Sequence, residues 1–344
     1  MRAVTFKAPG EVLVDDVPEP ELQHPEDAIV RVRASGICGS DLHIYHGRVP
    51  VEPGFTIGHE FVGELIAAGP DVERVAMGQR VLGCFHTACG TCVACVRGDY
   101  HRCVRGRTFG HGGKLGNLQG AQAELLLVPR ANLTLREVPA DISDDVALFA
   151  GDVLGTGYHA VAHAGVRAGD TVAVLGLGPV GLCAVQAARA SGATQVFAID
   201  TVAARLEMAK SFGATPVHLT EQEPKRVIRA ATGGMGVDVA IDAVGDPGPL
   251  ELAVSLARDA GTISGIGAYA GRGEVPLGLA WLKGLTIKVG LANVIAHVDR
   301  VLAMISAGLL DPSPLVTHHM DLEDAAEAYA LYDRREALKI VLSP

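Results

Sequence analysis

Residues 171–200, TVAVLGLGPVGLCAVQAARASGATQVFAID, admit few folds. An apolar run ends in a glycine-rich turn, a helix-length segment of small apolar residues follows, and a second apolar run closes on an aspartate. Strand, turn, helix and strand in that order form a βαβ unit, which calls for a parallel sheet covered on both faces. Gly176, Gly178 and Gly181 have the spacing GxGxxG. The first two allow a tight turn and the close approach of a pyrophosphate, the third lets helix pack on strand, and the helix N-terminus favours phosphate charge. Asp200 falls where a carboxylate accepts from the ribose hydroxyls of an adenosine half, and its charge repels a 2′-phosphate, which points to NAD rather than NADP. Arg205, five residues on, would weaken that preference near a 2′-phosphate, but it is expected to lie along the adenosine.

The same period continues. From about Asp144, strands expected at 171–175, 195–200, 237–242, 261–265 and 285–289 alternate with helices starting near Val180, Ala203, Glu221 and Pro249. Residues 1 to about 130 read differently, as short strands (11–14, 29–34, 61–67, 80–83, 123–128) separated by Gly and Pro turns. That is the pattern of a partly closed β-barrel. At 344 residues the chain exceeds one comfortable core, so two domains are expected. A closing strand at 338–342, after two further helices, is placed to rejoin the first domain.

Charge excludes some partners. With 39 acidic against 29 basic residues the net charge is -10, and nucleic acid or an anionic membrane would repel the surface as a whole. The longest apolar run, 171–185, is broken by glycines and is too short to cross a bilayer. The opening MRAVTFKAPGEVLV alternates and breaks at Pro9 and Gly10, unlike an export signal, so a cytoplasmic protein is expected. There, seven unevenly spaced cysteines suggest metal binding or catalysis before disulfides.

Cys89, Cys92, Cys95 and Cys103 form CxxCxxCxxxxxxxC. Four thiolates so close in sequence can close a tetrahedral zinc site and fix a loop too polar to bury a core of its own. An iron–sulfur cluster takes a comparable ligand set, but the bacterial ferredoxin spacing ends in CxxxCP and here Val104 follows the last cysteine. With every position filled, such a zinc does no chemistry. Cys84 and Cys183 are left over and read as small buried hydrophobes. A second group lies in residues 36–60, GICGSDLHIYHGRVPVEPGFTIGHE, where Gly36, Gly39 and Gly58 let the backbone turn and present Cys38 and His59 beside Glu60. A catalytic zinc wants three protein ligands and an open position. Taken singly, the two residues also fit an inert thiol and a satisfied core histidine.

Together, CGSDLH, GHEFVG, the four-cysteine lobe, GLGPVG and the order of the domains resemble the zinc-dependent medium-chain alcohol dehydrogenases over essentially the whole chain. The resemblance implies an α/β protein: a GroES-like β-barrel catalytic domain, 1–152 completed by 293–344, and a Rossmann NAD-binding domain, 153–292, with the active site in the cleft. It implies Cys38 and His59 as ligands of a catalytic zinc. The third ligand position, a cysteine in many relatives, falls on Asp152, as in the bacterial secondary-alcohol and formaldehyde-dehydrogenase-like branches. An oxygen ligand leaves the metal less electron density, so a bound alcohol ionises more readily. The bland reading of Asp152 is a helix N-cap. Glu60 has two readings, a fourth ligand that swings away as substrate arrives or an outer carboxylate that tunes the site.

By the same resemblance, hydride passes from the alcohol to NAD while the proton leaves through Ser40 and His43, whose ordinary pKa near 6.5 suits delivery to solvent. Otherwise both are polar groups of an exposed turn. Phe85 falls where the family lines its substrate pocket. Thr156, Pro179 and Val180 are expected near the nicotinamide and pyrophosphate, Ile266, Gly267, Ala268, Gly290 and Leu291 around the nicotinamide, and Lys339 at a phosphate. His46, His86, His111 and His159 have no assigned role. Implied too are one catalytic and one structural zinc per chain, a small-molecule alcohol giving an aldehyde or ketone, and a homotetramer or dimer joined near 285–289. Polyol, threonine and formaldehyde dehydrogenases share the chemistry, although the tryptophan-containing segment typical of threonine dehydrogenases between CGxD and GHE is absent. A catalytically silent zinc protein should lack a complete ligand set. A zinc-finger nucleic-acid binder predicts paired CxxC and HxxxH sites on a basic surface, and the chain shows neither.

Overall fold

Early in the chain, apolar side chains alternate with polar ones, and strands form there. The computed structural model describes residues 1–269 and 274–344. In order come β1 (Arg2–Ala8), β2 (Glu11–Asp16), β3 (Ala28–Gly36), β4 (Glu60–Ala68), β5 (Arg80–Gly83), β6 (Leu125–Val128) and β7 (Leu135–Glu137). Then follow β8 (Thr171–Leu175), β9 (Gln195–Asp200), β10 (Thr215–His218), β11 (Val237–Asp242), β12 (Ala257–Gly265) and β13 (Thr286–Val289), with helices between them. Finally come β14 (Val316–Asp321) and β15 (Lys339–Ser343). The chain divides into two compact units, residues 1–155 with 293–344, and residues 156–292.

In the first unit β3 shows the expected alternation, with Val30, Val32 and Ala34 buried and Arg31 and Arg33 exposed. One sheet runs β14-β15-β3-β4-β5-β7, with β6 also paired to β3. Its register matters more than its outline. Gly36 of β3 lies opposite Glu60 of β4 on one side and Val341 of β15 on the other. Cys38, His59, Glu60 and Lys339 therefore reach the same end of three neighbouring strands. One core gathers Phe61, Leu65, Phe109 and Leu135, and another gathers Ile37, Ile44, Ile57, Tyr329 and Leu342. Sequestering such residues from water at ~25 cal/mol per Å² of apolar area is what holds the strand ends in place. The helix Asp144–Ala150, capped by Ser143 Oγ accepting from Val146 N, leads into the turn that carries Asp152.

The second unit is one parallel sheet in the order β10-β9-β8-β11-β12-β13. Both faces of its central strands are covered, as a doubly wound sheet requires, and Val172, Ala173 and Val174 are fully buried. Strand order reverses between β8 and β11, the switch point where such sheets take ligands. Four details differ from expectation. β12 starts at Ala257 rather than 261, β10 was not anticipated, and the helices Pro224–Ala231 and Pro247–Leu256 begin at prolines, whose fixed φ suits a first helical turn.

Candidate active site

Cys38, His59, Glu60 and Asp152 converge so that one ligand atom from each lies within 4.8 Å of the others, and all four are buried. His59 Nε2 stands 3.1 Å from Asp152 Oδ2 and 3.3 Å from Ser40 Oγ. On its other side Nδ1 is 3.0 Å from Asp41 Oδ1, and Asp41 Oδ2 accepts from Cys38 N at 2.9 Å. Asp41 did not figure among the residues expected here. Its signal was its place in CGSDLH, since a ligating histidine ordinarily gives its second nitrogen to a carboxylate. Any larger residue at Gly36 would displace the Glu60 carboxylate, because a Cβ there would lie 2.1 Å from Glu60 Oε2.

The electrostatics are those of anions crowded out of water. Burial, reinforced by the charge of Asp152, pushes the Cys38 thiol up to about 11. Burial also lifts the Glu60 carboxyl to about 7 despite Lys339. For Asp152 burial acts upward, but the hydrogen bond from His59 holds it below the usual carboxylate range. Burial disfavours charge on His59, yet Asp41 and then Asp152 raise it well above an ordinary imidazole. A proton on His59 and the ammonium of Lys339 thus offset the acidic groups. The donor set of sulfur, nitrogen and carboxylate oxygen, buried and short of positive charge, fits a zinc ion.

Lys339 corrects an expectation. It is fully buried, donating to Glu60 Oε1 at 2.7 Å, Glu60 Oε2 at 2.6 Å and the Ile37 carbonyl at 3.0 Å, with the Phe149 ring 5.7 Å away. An ammonium has three donors, and all are committed inside the barrel unit, so none reaches a phosphate. The same contacts hold both Glu60 oxygens. His43 is half-buried on the short helix Asp41–Tyr45 and lies outside the ligand cluster. The His59 ring is flanked by Phe85, 6.3 Å away, and by His111, 4.8 Å away and edge-on, whose Nδ1 donates to the Phe109 carbonyl at 2.9 Å.

The other cluster is all thiol. Cys92 Sγ lies 3.5 Å from Cys95 Sγ and 4.0 Å from Cys103 Sγ, and Cys89 Sγ lies 4.0 Å from Cys95 Sγ. These four sulfurs suit a closed tetrahedral site. Arg105, not anticipated from the sequence, donates to Cys89 Sγ at 3.3 Å and to Thr91 Oγ1 at 2.7 Å, placing a cation beside the thiolates.

In the second unit the turn Gly176–Gly181 follows β8 and feeds the helix Pro179–Ala190, with Pro179 and Val180 half-buried at its first turn. Asp200 is more committed than expected. Its Oδ2 accepts from Leu177 N at 2.6 Å, and its Oδ1 from Thr201 N at 2.7 Å and Val202 N at 2.9 Å. A carboxylate offers about four lone-pair sites, so accepting from two ribose hydroxyls requires one of these amides to let go. Arg205 is half-buried in the helix Ala203–Ser211, and Thr156 is buried in the helix Val153–Ala164. Ile266, Gly267 and Ala268 follow β12 and Gly290 and Leu291 follow β13, so these two loops sit at adjacent carboxyl ends.

Residues 24–140 match the model of the alcohol dehydrogenase GroES-like domain, and residues 179–307 that of the zinc-binding dehydrogenases. An alcohol dehydrogenase of Cupriavidus necator is 36% identical, covering 100% of this chain and 99% of its own. An alcohol dehydrogenase of Thermus sp. ATN1 superposes with a TM-score of 0.97 at 46% identity, covering 100% and 99% of the two chains. The chain belongs to the zinc-dependent medium-chain alcohol dehydrogenase family. Its relative from Sinorhizobium meliloti, 30% identical with a TM-score of 0.87 over 100% and 99% of the two chains, was solved with NADP bound. In this alcohol dehydrogenase the two clusters differ in kind, one all sulfur and the other mixing donors drawn from three separate places in the chain.

His86, next to Phe85, carries a testable cost. Both its ring nitrogens are buried without a hydrogen-bond partner among the described residues, and burial depresses its pKa to about 4 from 6.5. Between those values the unfolded chain binds the extra proton, so this contribution is present above pH 6.5 and lost as pH falls toward 4, on the order of 3 kcal/mol in all. Urea unfolding of His86→Phe should show a correspondingly flatter acid slope than the wild type. Identical slopes would contradict a buried neutral imidazole.

Proposed function

We propose that the chain is an NAD-dependent, zinc-dependent alcohol dehydrogenase that moves a hydride from a small alcohol to the nicotinamide and releases an aldehyde or ketone. The observation that carries this reading is the buried convergence of Cys38, His59 and Asp152. These three would hold the catalytic zinc, and Cys89, Cys92, Cys95 and Cys103 the structural one. Zinc supplies Lewis acidity toward an alcohol oxygen. Asp41 keeps the proton of His59 on Nδ1, leaving Nε2 as the ligand atom. Glu60 acts as an outer carboxylate, a role supported by the grip of Lys339 on both its oxygens. Ser40 Oγ, 3.3 Å from His59 Nε2, takes the substrate proton, and His43 passes it to solvent.

Asp152 supports a place in the bacterial secondary-alcohol and formaldehyde-dehydrogenase-like branch. In this reading residues 1–152 with 293–344 form the catalytic domain and 153–292 the NAD domain. Thr156 and the loops 266–268 and 290–291 receive the nicotinamide, and Asp200 disfavours a 2′-phosphate. A homodimer or tetramer is supported by β13, whose outer edge is unpaired within the described residues, and by the preceding helix Leu277–Lys283, where Trp281 is 84% exposed. Five thiols set for metals, Cys38 and the four of the lobe, support a reducing, cytoplasmic setting. No helix among the described residues is long and apolar enough to cross a membrane.

The test is a zinc count per chain together with NADH formation across primary alcohols, secondary alcohols, polyols and formaldehyde. Two zinc ions and turnover of at least one alcohol are expected. Metal only in the thiolate lobe, with no turnover of any substrate, would refute the proposal.

A further inference from the structure

Asp242 is the last residue of β11 and is fully buried. It pairs in register with Leu175 at the end of β8 and with Gly265 at the end of β12, so it stands at the carboxyl edge beside the point where strand order reverses. Dinucleotides cross doubly wound sheets at that place. Every acceptor of this residue is directed at the loops there. Asp242 Oδ1 accepts from Val244 N at 2.8 Å and Gly245 N at 3.2 Å, and Oδ2 accepts from the Tyr269 hydroxyl at 2.5 Å. Its main-chain oxygen takes Ile266 N at 2.9 Å and Gly267 N at 3.1 Å.

The two loops are pressed backbone to backbone, since a Cβ at Gly267 would lie 2.1 Å from Gly245 N. The first loop also rests on the glycine-rich turn, because a Cβ at Gly176 would lie 2.4 Å from Val244 Cγ2. One carboxylate thereby ties together the two loops that begin at the ends of β11 and β12, and Val244 of the first leans on the turn after β8. Burial, and then its bond to Asp242, keep the Tyr269 phenol protonated well above the usual range, so the hydroxyl remains a donor.

We propose that Asp242 and Tyr269 form a latch that holds the loops after β11 and β12 in the shape that receives the nicotinamide half of the cofactor. β9, with Asp200, serves the adenosine half, and β11 to β13 lie on the opposite side of the switch point, where the second mononucleotide binds. Both are positioning residues, acting through loop backbone rather than on the reacting atoms. The inference rests on the proposed use of a nicotinamide cofactor.

Tyr269→Phe keeps the ring and removes only the donated hydrogen bond. Titration of the zinc-loaded protein with NADH, followed by nicotinamide fluorescence, should give a Kd about 10-fold weaker than the wild type, one charge-assisted hydrogen bond's worth. KM for NAD should rise similarly, with KM for the alcohol and zinc content unmoved. Asp242→Asn, checked for folding by circular dichroism, should weaken NADH at least as much. A Tyr269→Phe variant that binds NADH like the wild type overturns the latch, as does one in which only the alcohol KM moves, which would make Tyr269 a substrate contact. Failure of the wild type itself to bind NADH or NADPH would instead overturn the cofactor reading and the latch with it.

Discussion

Cys38→Ser is expected to cut alcohol turnover by about a thousandfold or more and to lower the zinc content by one ion per chain, while NADH still binds. Loss of an outer partner of a metal site ordinarily costs about 10–100-fold, and Cys38 is placed as a direct donor, so a larger loss follows. Serine keeps nearly the same volume, so the core around Ile37 and Ile44 has no cavity to collapse into. It replaces a soft thiolate donor by a hydroxyl that holds its proton far more tightly. NADH affinity should survive because the glycine-rich turn, Asp200 and the Asp242 loops all lie in residues 156–292. Metal analysis with and without a mild chelator, alongside steady-state rates, checks this. Full turnover with two zinc ions still bound would show that Cys38 is no ligand.

The second large effect belongs to Lys339. Lys339→Met should destabilise the protein by about 3–5 kcal/mol, because it leaves the Glu60 carboxylate buried without its counter-charge. Glu60→Gln alone should cost a similar amount for the converse reason. The double variant should recover most of the loss, since a buried ion pair replaced as a unit by neutral groups of similar size is often nearly neutral. Urea midpoints of the four proteins form the cycle. If Lys339→Met unfolds at the wild-type midpoint, or the double variant is no more stable than either single one, the pair does not carry this role. A phosphate-binding lysine would behave differently, weakening NADH without changing the midpoint.

Much of the fold was readable in advance where the signal was short-range. β8, β9 and β11 run over the residues expected, because apolar runs of five or six residues bounded by Gly and Asp leave little choice. β14 was invisible for the opposite reason. Only Val316 and Met320 of VTHHMD are apolar, too few to mark a strand by themselves, and its pairing with β15 makes it one. β1 and β2, on either side of the break at Pro9 and Gly10 in the alternating opening stretch, pair along most of their length. Among functional groups, Cys38, His59 and the four lobe cysteines announce themselves by residue type and spacing. Asp41, Arg105 and Tyr269 do not, since an aspartate, an arginine or a tyrosine in a loop is ordinarily just a polar side chain.

Sequence alone determined that a dinucleotide-type βαβ unit and a four-thiolate loop exist, because both are written within a few dozen consecutive residues whose geometry the chain cannot avoid. Cys38, His59 and Asp152 were expected to share one zinc only through the family resemblance, since they lie far apart in the chain. Only the tertiary structure decided that these meet, that Asp41 orients His59, and that Lys339 closes on Glu60 from 279 residues away. The reason is register. Which residues share a strand end depends on how β15, β3 and β4 align, and that alignment is chosen by packing of the whole core rather than by any neighbouring stretch of chain.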